Sequence, residues 1–126
     1  MILSYFKKVR AKIQKLEWLI SFVSIATEYD DDAESGIISG SITFKDRSVF
    51  HFKEIFIGKI RHYRFHYMDE KKQLICRWDT APHHRNLKTF PYHIHLPEGV
   101  KESNSVSLVV VLDKIKELVV SGLEKY

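Results

Sequence analysis

Four of the chain's seven histidines fall between positions 83 and 95, close behind an arginine and an aspartate. They are His83 and His84 after Pro82, and His93 and His95 after Pro91, with Arg77 and Asp79 just upstream. Imidazole exchanges protons near neutral pH more readily than any other side chain. Prolines stiffen the backbone that aims these rings. His93 and His95 are two apart, so an extended backbone projects both to one side.

Three chemistries suit this set. The first is metal-free RNA cleavage. A base takes the proton of the 2′-OH, an acid protonates the leaving oxygen, and cations meet the charge on the phosphorane. Positioned histidines supply such proton transfer, worth about 10²–10⁴-fold. His84, His93 and His95 are the candidates for it. Arg64 and Arg77 can hold phosphate in bidentate fashion, and Asp79 can orient a histidine and fix its tautomer. Lys53, His66, His83 and Tyr92 are candidate substrate contacts, Tyr92 and Phe90 by stacking on bases.

The second chemistry is a metal site of N and O ligands, with His83, His84 and Asp79 completing the His93/His95 pair. Against it, there is no helical H-E-x-x-H and no further carboxylate in the stretch. The third is a non-enzymatic surface for RNA, the ribosome or a protein partner. The expectation carried forward is the first, with no metal and no cofactor.

The elements that must position these residues are legible in the hydrophobic spacing. Residues 2–16 place Leu3, Phe6, Val9, Ile13 and Leu16 three or four apart among lysines, which predicts a basic amphipathic helix. Residues 18–29 read as a strand. Segments 37–45, 49–57, 59–69 and 73–79 read as an antiparallel meander joined by short turns.

Alternation in the meander puts Ile38, Ile42, Phe44, Phe50, Phe52, Tyr63, Phe65, Tyr67, Leu74, Cys76 and Trp78 on one face. The opposite face receives Ser39, Ser41, Thr43, Lys45, His51, Lys53, His62, Arg64, His66, Arg77 and Asp79. Glu54 falls on the apolar side, and a bulge is the device that would turn it out. Residues 81–104 read as one long loop carrying Pro82, Pro91, Pro97 and Gly99, a length that in a compact domain is commonly functional. Residues 105–123 predict a closing helix, with Ser103 or Ser105 as its N-cap. The expected fold is therefore α+β, with an antiparallel sheet of about five strands, a helix at each end and a long His/Pro loop.

Composition narrows the class. A chain of 126 residues with 44% hydrophobic content suits a single domain, 1–126, and argues against disorder. The net charge of +4 and pI near 9.1 lean towards an acidic partner such as RNA. Cys76 is the only cysteine, which excludes an intramolecular disulfide and a Cys-rich zinc site. Its parity places it in the core, so it is no nucleophile. There is no Gly-rich phosphate loop or dinucleotide fingerprint. No apolar run reaches a membrane span, and the first residues carry no cleavable signal pattern. A cytoplasmic protein without membrane association is expected.

The run Arg77-Trp78-Asp79-Thr80-Ala81-Pro82-His83-His84, followed by Thr89-Phe90-Pro91-Tyr92-His93-Ile94-His95, resembles the TumE family. Those are small prokaryotic toxins of type II toxin–antitoxin systems. The family pattern is roughly R-Y-D-N-A-P-H-H and then T-F-P-H-H-K-H. The match is best over residues 61–97. Thr80, Trp78 and Tyr92 depart from it, standing where Asn, Tyr and His are frequent. The resemblance implies growth inhibition and a cognate antitoxin, usually a small helix-turn-helix protein. It does not settle the chemistry, so the endoribonuclease reading rests on the residues themselves. A homo-oligomer, formed through an open sheet edge, is a further possibility.

Overall fold

A computed structural model describes residues 2–123. Helix α1 (Ile2–Lys15) buries Ile2, Phe6, Val9 and Ile13, the stripe expected from their spacing. A single 3₁₀ turn at Glu17–Leu19 turns the chain into strand β1 (Ile20–Tyr29). Then come β2 (Ser35–Phe44), β3 (Val49–Ile57), β4 (Ile60–Met68) and β5 (Leu74–Asp79). Two short strands, β6 (His93–Leu96) and β7 (Gly99–Glu102), precede helix α2 (Leu108–Leu123). All seven strands form one antiparallel sheet in chain order. No helix among the described residues is long and apolar enough to cross a membrane.

The α+β class holds, with two corrections to the sheet. It has seven strands rather than five, and residues 81–104 are not one long loop. Their second half is the β6–β7 hairpin, closed by Pro97 and Glu98 between the paired Leu96 and Gly99. Strands of four residues are too short to show a readable period. The remaining loop, 80–92, holds turns and bends only.

Both helices cover one face of the sheet. Phe44, Phe50, Phe52, Tyr63, Phe65, Tyr67, Cys76 and Trp78 are buried there, beneath Leu108, Val111, Leu112, Ile115 and Val119 of α2. An ion pair between Lys12 and Asp113 ties the helices together. The α2 N-cap is Ser107, neither Ser103 nor Ser105. Its hydroxyl accepts from the Val110 N–H at 3.2 Å, and its carbonyl accepts from Val111 at 3.0 Å.

Glu54 departs from expectation in an informative way. No bulge turns it outwards, because β3 keeps regular register with both neighbours. The carboxylate stays in the core at 0% exposure and is ion-paired with Arg61. The Tyr5 hydroxyl donates to it at 2.6 Å and accepts from the Leu108 N–H at 2.9 Å. Arg61 also donates to the Val106 carbonyl and to the Ser105 hydroxyl. One buried charge thus joins α1, the β3–β4 hairpin and the start of α2. Burial pushes the Glu54 carboxyl upward, against the Arg61 charge and its hydrogen bonds, which pull it down.

Candidate functional site

Register builds the site on the face away from the helices. Residues directly opposite in neighbouring antiparallel strands project to the same side. One row across the sheet runs Ser39, Lys53, Arg64, Asp79, His93. The next runs Ser41, His51, His66, Arg77, His95. Both rows reach a histidine on β6, over which the 80–92 loop brings His84, and continue on β7 to Glu102 and Val100.

Asp79 is the centre of the polar network. It is almost fully buried at 4% exposure. Its Oδ1 lies 2.5 Å from His93 Nε2 and accepts the Ala81 N–H at 3.1 Å. Its Oδ2 lies 3.2 Å from His95 Nε2 and accepts Arg77 Nε–H at 3.0 Å. His93 is 1% exposed, and its Nδ1 donates to the Pro91 carbonyl at 2.9 Å. A carbonyl can only accept, so the Nδ1 proton is fixed and Nε2 faces Asp79 and His95. The Nε2 atoms of His93 and His95 are 3.0 Å apart. The His84 ring stands edge-on to both, 4.9 Å from His93 and 5.5 Å from His95 between centroids.

Neighbouring charges and burial tune the rings at the rim. His66 is pushed down to about 4, first by burial and then by the charges of Arg64 and Arg77. Its buried Nδ1 has no hydrogen-bond partner among the described residues. His95 is also pushed down, first by burial and then by Arg77, while Asp79 pulls it up.

The structure therefore brings together His84, His93, His95, Asp79 and Arg77. Arg64, Lys53 and His66 line the approach along the open face, with Arg64 and Lys53 exposed. His83 is exposed in the loop and lies outside the cluster. Tyr92 turns to the opposite side, where it stacks with Tyr63 at 6.2 Å between ring centroids. Adjacent residues of an extended chain project to opposite faces, so the side taken by Tyr92 was readable once His93 was placed. Two groups carried no sequence signal, the Pro91 carbonyl and the Ala81 N–H, because any residue supplies them.

No curated protein and no solved structure gives a match. A family model described as "Toxin TumE" matches residues 9–121, which takes in every strand, the His cluster, the second half of α1 and nearly all of α2. With it come a toxin role and an antitoxin as the expected partner. On this match the chain belongs to the Toxin TumE family.

Proposed function

We propose that this toxin inhibits growth by cleaving RNA on the open face of its sheet. The observation that carries the reading is the cluster of His84, His93 and His95, the last two held on a buried Asp79, on two rows that carry basic side chains. Phosphate enters along Lys53, Arg64 and Arg77; the two arginine guanidinium groups suit bidentate contacts to phosphoryl oxygens, and Lys53 adds a point charge.

The reaction is an internal transesterification. His84, the partly exposed loop imidazole, takes the 2′-OH proton. The 2′-oxygen bonds to phosphorus, and the bond to the 5′-oxygen breaks. In the metal-free form, His95 returns a proton to that leaving oxygen, while His93 and Asp79 hold His95 in place. The products are a 2′,3′-cyclic phosphate and a 5′-hydroxyl end. His93 is too buried to touch substrate, so it serves as a positioning residue.

The test is the single-turnover rate on a short RNA. His84→Ala and His95→Gln are each expected to slow it by about 10²–10⁴-fold, with thermal unfolding close to wild type. Variants that cleave at the wild-type rate would overturn the assignment. Family membership supports a type II system, and we propose a small helix-turn-helix protein as the antitoxin. Separate genes for toxin and antitoxin proteins, with co-purification of the pair, would test that.

A second reading keeps the same face as a non-enzymatic RNA or ribosome surface, favoured by the exposure of Lys53, Arg64 and His51. It predicts growth arrest that survives loss of His84 but not reversal of the lysine and arginine charges.

A further inference from the structure

We infer that His93, His95 and Asp79 hold a divalent first-row transition cation. The inference rests on the reading of this face as the reaction centre. With the cation bound, His95 would be a ligand instead of the proton donor, and the cation would meet the charge on the leaving oxygen in its place.

Lone-pair geometry is the main argument. The Nδ1 proton of His93 is committed to the Pro91 carbonyl, which leaves its Nε2 lone pair aimed inward. That lone pair meets a carboxylate oxygen at 2.5 Å and a second imidazole nitrogen at 3.0 Å. The second nitrogen is itself 3.2 Å from the other carboxylate oxygen. Electron pairs aimed at one point repel unless a positive centre lies among them. Protons meet this arrangement when one is shared between Asp79 Oδ1 and His93 Nε2 and the His95 N–H is turned to the other carboxylate oxygen. One cation meets it directly. Zinc–nitrogen bonds of about 2.0–2.1 Å put adjacent donors roughly 3.0–3.4 Å apart. The His93–His95 and His95–Asp79 distances of 3.0 and 3.2 Å fall in that range, and the 2.5 Å His93–Asp79 contact must widen as the side chains turn onto the ion.

The surroundings support the same conclusion. Histidine ligands characteristically donate their other N–H to a backbone carbonyl or carboxylate, and carboxylate ligands are themselves hydrogen-bonded. His93 does the first, towards Pro91. Asp79 does the second, accepting from Ala81 N–H on one oxygen and Arg77 Nε–H on the other. The donor set lies on paired strands β5 and β6, which fix it before any ion arrives. The donors are imidazole and one carboxylate, which suits zinc, iron or nickel better than magnesium or calcium. His84, with a ligand atom within 4.8 Å of those of both other histidines, stands beside the cation as the proton-transfer group or closes the set as a fourth donor.

The test is Co²⁺ binding to the full-length, metal-stripped toxin, read by visible ligand-field absorption and by metal content after desalting. One cobalt per chain with ligand-field bands is expected, displaced by Zn²⁺. Asp79→Asn keeps the side-chain shape and should weaken binding at least tenfold. His62→Ala, on the same face but outside the cluster, should bind as wild type. Absence of stoichiometric cobalt in a folded wild-type protein would overturn the inference, as would unchanged binding by folded Asp79→Asn. RNA cleavage is scored separately on the same samples. Cleavage by toxin shown to hold no metal leaves the nuclease reading standing and removes the cation. Stoichiometric metal without cleavage does the reverse.

Discussion

The chemistry turns on a few hydrogen atoms. The Pro91 carbonyl decides which His93 nitrogen faces Asp79, and Asp79 decides how His95 is held. His66 sits one strand away with a buried Nδ1 that has no partner among the described residues and a pKa pushed from 6.5 to about 4. That shift makes a stability prediction. Between pH 6.5 and 4 the unfolded chain binds a proton at His66 that the folded chain refuses. The stabilisation is therefore complete above pH 6.5 and is lost as pH falls towards 4. Urea unfolding midpoints at pH 7 and pH 5 should converge in His66→Gln relative to wild type. An equal pH dependence in both proteins would show that burial does not discourage His66 protonation.

At the scale of elements, the buried Glu54–Arg61 pair joins the first helix, a hairpin and the last helix. Removing one partner of a buried pair costs about 3–5 kcal/mol, so Arg61→Met should lower unfolding free energy by roughly that much at neutral pH. Burial raises the Glu54 pKa, so the folded variant gains by protonating it. Its deficit should shrink as pH falls towards 4.5 and grow as pH rises, a trend that equilibrium denaturation at several pH values will check. Much of this level was legible in the sequence. The alternation across residues 37–79 placed the aromatic core on one face, because a half-buried antiparallel sheet writes its burial with period two. Two things were not legible. The β6–β7 hairpin is too short to show a period. The partner of Glu54 lies seven residues away in another strand, and pairing at that distance leaves no local pattern. Within the site, the types His, Asp and Arg were plain, whereas the grouping of His84 rather than His83 with the β6 pair depends on how the loop folds back.

At the scale of the molecule, the sheet separates two tasks. One face is closed by both helices and holds the core. The other carries the basic rows that lead to the His cluster. If that face binds RNA, affinity must depend on salt through the phosphates it neutralises. Lys53→Glu combined with Arg64→Glu should weaken binding to single-stranded RNA by at least about tenfold at low salt and flatten the slope of log affinity against log salt by roughly one to two. An unaltered slope would place the RNA path elsewhere on the surface.

The most direct test of the central claim is expression of this chain in a sensitive host, wild type beside His84→Ala and His95→Gln, with RNA ends mapped after induction. The account predicts growth arrest with new 5′-hydroxyl ends in wild type, and neither arrest nor new ends in either variant at matched protein levels. Arrest without new RNA ends, or arrest that persists undiminished in both variants, would contradict it.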